Sequence, residues 1–177
     1  MNNGPIGIYD SGFGGLSVWR ELYKALPNES LIYLGDGANC PYGNLSEEKI
    51  RLLAEKSVRR LLDCGCKMIV VACNTATAVA IKYLREKYPS IPFVGLEPAV
   101  KPAALTTKAG VIGVLATKRS LEGDHFRRAE ATYGSEVKIL KAVGEGFVEA
   151  KDLKISDKLL LSSGKRVIIE TLEVETL

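Results

Sequence analysis

The chain has 177 residues, of which 46% are hydrophobic and 25% are charged, and its formal net charge is +3. This balance is typical of a globular protein and excludes an intrinsically disordered chain. Lys and Arg are spread among acidic residues, and we interpret the pairs Arg59-Arg60 and Arg127-Arg128 as solvated helix faces. A nucleic-acid-binding surface needs a basic stripe with interleaved aromatic residues, so we expect no nucleic-acid partner.

The N-terminal sequence MNNGP lacks the positive region of a secretory signal, and the apolar stretch after it stops at Asp10. No apolar run approaches the roughly 18 residues that a membrane span needs. We therefore expect a cytosolic, cytoplasmic protein with no membrane partner. In a reducing compartment the four cysteines are thiols and not a disulfide framework.

Short apolar runs alternate with longer amphipathic runs through the first half of the chain. Residues 5–9 predict a strand followed by a glycine-rich turn, and residues 16–26 have the apolar spacing of a helix. Residues 31–34 predict the second strand. A polar loop then leads to Ser46, a good N-cap for a helix that Gly65 closes.

The same alternation continues beyond Gly65. Residues 68–72, MIVVA, are continuously apolar, as expected of a strand buried on both faces of a parallel sheet. The later predicted elements are a helix over 76–88, a strand over 93–96, a strand over 111–115, a helix over 120–133 and a strand over 137–140. No element is predicted in the Pro/Ala-rich crossing EPAVKPAAL.

This order of elements predicts an α/β protein: a parallel-sheet lobe with flanking helices, plus an incomplete second α/β lobe. We place the first lobe at residues 1–97, the start of the second lobe at 98–150, and a divergent tail at 151–177. Within the tail, residues 166–174 have the pattern of a strand, which would need a partner strand.

Polar side chains follow the predicted strands, at the edge of the sheet where ligands of open parallel sheets bind. The clusters are Asp10-Ser11, Pro41-Tyr42-Gly43, Cys73-Asn74-Thr75 and, after the later strand, Thr117 with Ser120. Their convergence predicts where the site lies.

Cys73 follows a buried strand and precedes a helix, so free backbone N–H groups and the positive end of the helix dipole face its thiol. We expect this setting to lower its pKa below the reference of about 8.5. The same N–H groups, with Asn74 and Thr75, suit a substrate carboxylate. The spacing leaves two interpretations open: a cysteine activated for nucleophilic attack or proton abstraction, and a buried structural cysteine.

The other candidates carry less information. Asp10 either orients the thiol, accepts a bond from a substrate ammonium, or simply forms the turn before SGFGG. That turn does not fit the dinucleotide motif G-x-G-x-x-G, which needs glycine where Ser17 stands, although the acid Asp36 does follow the second strand. Cys64 and Cys66 lack the second pair of a zinc site, so we interpret them as packing residues.

The runs IYDSGFGGLSV, NCPYG and VVACNTATA, in this order and spacing, resemble the glutamate racemases of the aspartate/glutamate racemase family. GVIGVLATKRS and the FVEA of residues 147–150 resemble later blocks, so we expect the resemblance to end at residue 150. It implies a two-lobed α/β isomerase that uses no pyridoxal phosphate or metal, binds glutamate, and supplies D-glutamate for peptidoglycan. The resemblance leaves open whether the protein forms a homo-oligomer.

In that family one cysteine removes the α-proton of glutamate and a second cysteine, on the opposite face, returns a proton. By the resemblance, Cys73 is one acid/base group and Asp10 assists it. The residues that the resemblance implies for substrate binding are Asp10, Ser11, Pro41, Tyr42, Gly43, Asn74, Thr75 and Thr117.

The second thiol of the family lies in a Gly-Cys-Thr-His motif, whereas this sequence has no cysteine after Cys73. We expect a C-terminally truncated or frameshifted chain that is inactive as a racemase in this form. Two alternatives stay open: a degenerate amino-acid-binding or partner-binding remnant, and an aspartate or other amino-acid racemase.

Overall fold

Four parallel strands form the first sheet of the molecule. The computed structural model describes residues 3–143, 158–160 and 166–168. The strands of this sheet are β1 (Ile6–Asp10), β2 (Leu31–Gly35), β3 (Met68–Val71) and β4 (Phe93–Gly95). Their order is β2-β1-β3-β4, and every neighbouring pair is parallel. The carboxyl ends of the strands therefore lie along one edge of the sheet, where the polar clusters were predicted to converge.

The chain divides into two compact units, a first unit (Met1–Glu97) and a second unit (Pro98–Leu177). The helices of the first unit are α1 (Leu16–Ala25), α2 (Glu47–Asp63) and α3 (Asn74–Lys87). The helix α2 begins after Ser46, whose Oγ accepts a hydrogen bond from the Lys49 N–H at 3.2 Å, and Gly65 follows it with φ 76°. Both ends confirm the predicted caps.

The first sheet is packed on both faces, but not equally. Helices α2 and α3 lie on one face and bury side chains such as Ile50, Val58 and Leu84 completely. On the other face, α1 contributes half-buried Val18, Trp19 and Leu22 and has no buried residue. The continuously apolar strand β3 lies between these layers, as its sequence predicts.

The second unit contains a parallel pair of strands with its own small core. The elements are β5 (Val111–Ala116), β6 (Lys138–Val143), α4 (Val100–Thr106), α5 (Lys118–Glu122) and α6 (Asp124–Tyr133). The core residues are Val100, Ile112, Leu121, Phe126 and Val137. Two further strands, β7 (Lys158–Leu160) and β8 (Arg166–Ile168), pair antiparallel.

The α/β class with a parallel sheet and flanking helices is confirmed, but two predicted elements differ from the structure. The crossing predicted to hold no element contains α4, because Pro102 occupies the third helical position, where a missing N–H removes no intrahelical bond. The helix predicted over 120–133 is two helices, because Gly123 is extended with ψ 149°. Of the strand predicted over 166–174, the structure shows β8 over Arg166–Ile168, which pairs with β7, and residues 169–174 lie outside the described residues.

The surface of the helices agrees with the charge pattern. The paired arginines of α2 and α6 are exposed, as predicted for solvated faces. Within the part of the chain that the structure describes, none of the helices combines the length and the apolar character that crossing a bilayer requires.

Candidate active site

Cys73 lies between the end of β3 and the first turn of α3. Its backbone is extended, and its Sγ accepts a hydrogen bond from the Ala76 N–H at 3.4 Å, so the thiol is the N-cap of α3. Ser11 Oγ lies 3.2 Å from the same sulfur. Because β1 and β3 are neighbours in the sheet, residues at the ends of these two strands meet although they are 62 positions apart. The side chain of Cys73 is 7% exposed.

Burial decides the protonation state of Cys73. Removal of water raises the pKa of the Cys73 thiol, because desolvation penalises the charged thiolate. Hydrogen bonds from Ser11 and Ala76 act to lower this pKa, the negative charge of Asp10 acts to raise it, and the net direction is upward. The expectation of a lowered pKa is therefore wrong: the helix N–H group does face the thiol, but the thiol is too deeply buried for that group to prevail.

The carboxylate of Asp10 is held by the glycine-rich turn. Its Oδ1 accepts from the Ser11 N–H at 2.8 Å, and its Oδ2 accepts from the Gly15 N–H at 2.8 Å and from the Tyr33 hydroxyl at 3.2 Å. A Cβ on Gly15 would lie 2.9 Å from the Cβ of Asp10, so glycine is required for this close approach. Asp10 is 2% exposed. The structure thus shows the turn-forming role of Asp10, together with a negative charge that favours the protonated form of Cys73.

The loop after β2 places its three predicted residues in different environments. Pro41 is exposed and Gly43 is half-buried, whereas Tyr42 is 1% exposed and lies in the core of the first unit. The Tyr42 hydroxyl donates to Asp36 Oδ2 at 2.6 Å and accepts from the Tyr9 hydroxyl at 2.9 Å. Burial, together with these neighbours, raises the pKa of Tyr42, so its phenol stays protonated. Any ligand contact from this loop therefore comes from its backbone and not from the phenol of Tyr42.

The remaining predicted residues belong to both units. Asn74 is exposed and Thr75 is buried, and both belong to the first turn of α3 beside Cys73. Thr117 belongs to the second unit, where its Oγ1 accepts from the Ser120 N–H at 3.3 Å and caps α5. The structure therefore brings Asp10, Ser11 and Cys73 into one cluster and gives Thr117 a capping role in the second unit.

The other cysteines differ in exposure and surroundings. Cys40 is half-buried, and its pKa is raised by burial and then by the charges of Asp10 and Asp36. Cys66 is buried, as predicted for a packing residue, whereas Cys64 is exposed. Among the described residues, no group of three or more His, Cys, Asp and Glu side chains is arranged to hold a metal ion.

Two tyrosines near the site, Tyr33 and Tyr9, were not predicted from the sequence to belong to it. Tyr33 donates to Asp10 and to the Gly12 carbonyl oxygen, the latter at 2.8 Å. Tyr9 is fully buried in the same core cluster as Cys73, and burial raises its pKa. Both aromatic residues lie inside predicted strands, where an aromatic residue reads as ordinary packing.

This arrangement suits acid/base chemistry at a sulfur atom. In the thiol form Cys73 is a proton donor. In the thiolate form it has two donors in place, Ser11 Oγ–H and the Ala76 N–H, which stabilise the negative charge. A side chain that has partners in both protonation states is able to take up and return a proton.

The fold and the site define an α/β protein with a buried, hydrogen-bonded thiol at the carboxyl edge of its parallel sheet. The family model described as Asp/Glu/Hydantoin racemase matches residues 14–171, and the chain belongs to this family. The match confirms the resemblance and extends it past residue 150, where we expected it to end.

Curated relatives and solved structures agree with the family. A glutamate racemase of Herpetosiphon aurantiacus is 50% identical over 149 residues, which are 84% of this chain and 58% of that protein. A glutamate racemase of Stutzerimonas stutzeri is 45% identical over 163 residues, 90% of this chain and 62% of that protein. The crystal structure of Escherichia coli glutamate racemase with L-glutamate and the activator UDP-MurNAc-Ala matches with a TM-score of 0.73 and 36% identity, over 80% of this chain and 54% of that one. The chain thus spans between half and two thirds of the length of these relatives.

Proposed function

We propose that this chain carries the acid/base thiol for one face of the substrate in a cofactor-independent glutamate racemase, which interconverts L- and D-glutamate and supplies D-glutamate for peptidoglycan. The observation that carries the proposal is the cluster at the carboxyl edge of the first sheet, where the buried Cys73 sulfur lies 3.2 Å from Ser11 Oγ and caps α3. The high identity to glutamate racemases over 84% of the chain supports it.

Cys73 moves the α-proton on one face of the amino acid. In one direction the thiol gives its proton to the α-carbanion, and in the other direction the thiolate removes the α-proton. Ser11 and Ala76 stabilise the thiolate through hydrogen bonds, whereas burial and the charge of Asp10 favour the thiol, and the net effect raises the pKa of Cys73.

Backbone N–H groups bind the two carboxylates of the substrate. The N-terminal turn of the 14-residue α3 offers N–H groups at Asn74 and Thr75 and the positive end of its dipole. The loop of Pro41, Tyr42 and Gly43 supplies further contacts from its backbone. Solved glutamate racemases bound to L-glutamate, from Escherichia coli, and to D-glutamate, from Francisella tularensis, support glutamate as the ligand.

A cytoplasmic location is part of this proposal, because a catalytic thiol has to stay reduced. The chemistry relies on thiols, without pyridoxal phosphate or a metal.

Protection of Cys73 from alkylation tests the proposal. Iodoacetamide labelling is followed at each cysteine by mass spectrometry, with and without L-glutamate, D-glutamate or aspartate. We expect either glutamate enantiomer to slow labelling of Cys73 at concentrations where aspartate does not, and to leave the exposed Cys64 unchanged. Equal protection by aspartate would favour a different amino-acid substrate, and equal labelling of Cys73 with and without every amino acid would contradict the proposal.

A further inference from the structure

Asp36 is the hub of a hydrogen-bond network beside the candidate active site. Its carboxylate accepts from the Tyr42 hydroxyl at 2.6 Å and from Asn39 Nδ2 at 2.9 and 3.1 Å. The Tyr42 hydroxyl in turn accepts from Tyr9. The sequence singled out Asp36 only as the acid of a dinucleotide motif, and the function proposed above gives it no task.

The backbone of Asp36 connects this hydrogen-bond network to β1. Its N–H donates to the Asp10 carbonyl oxygen at 2.9 Å, directly after the last paired residues of β1 and β2, Asp10 and Gly35. Asp10 precedes Ser11, which contacts the Cys73 sulfur. The backbone N–H of Asp36 is therefore bonded to β1, the strand that ends directly before Ser11. The side-chain carboxylate of Asp36 is bonded to Tyr42.

Tyr42 connects Asp36 to the loop of residues 41–43. Its side chain is 1% exposed, and its hydroxyl already has one acceptor and one donor, so the phenol has no capacity left for a ligand. What the loop offers to a ligand is the backbone of Tyr42 and Gly43, and the bonded phenol sets the position of that backbone.

We propose that Asp36 is a positioning residue: through its bond to Tyr42 it holds the Tyr42–Gly43 backbone in place to bind the substrate. This inference rests on the proposed function for the identity of the substrate. A charge-assisted bond of 2.6 Å between a buried phenol and a carboxylate is strong enough to fix a short loop, whereas a neutral bond is weaker.

The chain contains a matched control for this pair. The Tyr83 hydroxyl donates to Glu55 Oε2 at 2.5 Å between α3 and α2, in the same unit but away from the loop, in a half-buried pair that Lys87 also contacts. Tyr83→Phe therefore removes an equivalent tyrosine–carboxylate bond without touching the candidate site.

The experiment compares Asp36→Ala, Asp36→Asn, Tyr42→Phe and Tyr83→Phe in the 177-residue chain. The first readout is hydrogen exchange of the Tyr42 and Gly43 amides. The second is the glutamate concentration that halves the rate of Cys73 alkylation, relative to the unprotected rate of the same variant. We expect Asp36→Ala and Tyr42→Phe to speed exchange at these amides and to raise the half-protecting concentration about tenfold, the effect of one bond to a charged group. Asp36→Asn, which keeps an acceptor oxygen, should restore part of both effects, and Tyr83→Phe should change neither.

The two readouts separate this inference from the proposed function. If glutamate does not protect Cys73 in the unmodified chain, the assignment of substrate fails, while faster local exchange in Asp36→Ala would still establish Asp36 as the anchor of the loop. Unchanged exchange at Tyr42 and Gly43 in both Asp36→Ala and Tyr42→Phe would overturn the positioning role. A rise in half-protecting concentration as large in Tyr83→Phe as in Tyr42→Phe would overturn it equally, since the effect would then be one of general stability.

Discussion

The first and second units are built from the same pattern of strands and helices, but they differ in how well each sheet is covered. In the first unit, a large core between the sheet and α2 and α3 contains fully buried residues such as Ile69 and Leu84. In the second unit, β5 and β6 pack on α4 and α6 with one face, while Val111, Leu115 and Leu140 are 40%, 43% and 37% exposed.

This difference coincides with the position of the chemistry. Cys73, Ser11 and Asp10 are each at most 7% exposed and are fixed by strands and helices of the well-covered unit. A reacting group has to be held to within about 0.5 Å of its productive position, which a closed core provides and a two-stranded sheet with an exposed face does not. Both the geometry and the pKa of the Cys73 thiol therefore depend on the packing of the first unit.

Leucine truncation is expected to give the largest contrast between the units. Leu84→Ala removes a fully buried side chain of α3, and we expect it to lower the free energy of unfolding of the first unit by about 2–5 kcal/mol. Leu115→Ala changes a residue that is 43% exposed and should cost less than about 0.5 kcal/mol. Urea unfolding followed by hydrogen exchange in each unit measures both values. A cost for Leu115→Ala equal to that for Leu84→Ala would show that the second sheet is covered as well as the first.

Alkylation rates test whether burial controls Cys73. Because its pKa is raised, we expect Cys73 to react at least about tenfold more slowly than the exposed Cys64 at pH 8, with a midpoint at higher pH. Ser11→Ala removes a donor to the thiolate and should move that midpoint higher still, by about 1 pH unit. The raised pKa also stabilises the folded state below the pKa of the unfolded thiol, and this contribution is lost as the pH rises through the folded pKa. A Cys73 midpoint below that of Cys64 would contradict the burial argument.

Substitution of the N-cap residues tests the same comparison between the two units, with a smaller expected effect on stability. Ser46 caps the 17-residue α2 of the first unit, and Thr117 caps the five-residue α5 of the second. We expect Ser46→Ala to cost about 1 kcal/mol and Thr117→Ala to change the stability of the first unit by less than the error of the measurement. Thermal unfolding of the two variants, monitored at Trp19 in the first unit, checks this. An equal loss would indicate that the units unfold together.

Much of the fold could be predicted from the sequence, because its signals are local. The Ser46 cap, Gly65 and the apolar run of β3 each act within a few residues of their own position. The helix α4 was missed because Pro102 reads as a helix breaker unless its place in the first turn is known. The helix predicted over 120–133 included Gly123, since a single glycine does not by itself end a helix. The extended backbone of Gly123 in the structure shows that α5 ends there.

The site was predicted in its position but not in its energetics. The convergence of Asp10, Ser11 and Cys73 follows from parallel strands ending at one edge, which the order of elements already implies. The upward shift of the Cys73 pKa depends on how much water the fold excludes, and no spacing of residues reports that. The contacts of Asp36 with Tyr42 were equally invisible, since they depend on the path of a loop.

The most direct test of the account is proton exchange at the α-carbon of glutamate. Each enantiomer is incubated with the purified 177-residue chain in deuterium oxide, and both chirality and deuterium content at the α-carbon are measured. Inversion needs proton transfer on two faces, and this sequence has one cysteine at the site and none after it, so we predict Cys73-dependent deuterium incorporation with retained configuration. Appearance of the opposite enantiomer above a Cys73→Ala control would contradict the predicted retention of configuration. Deuterium incorporation that survives Cys73→Ala would contradict the assignment of Cys73 as the acid/base group for one face.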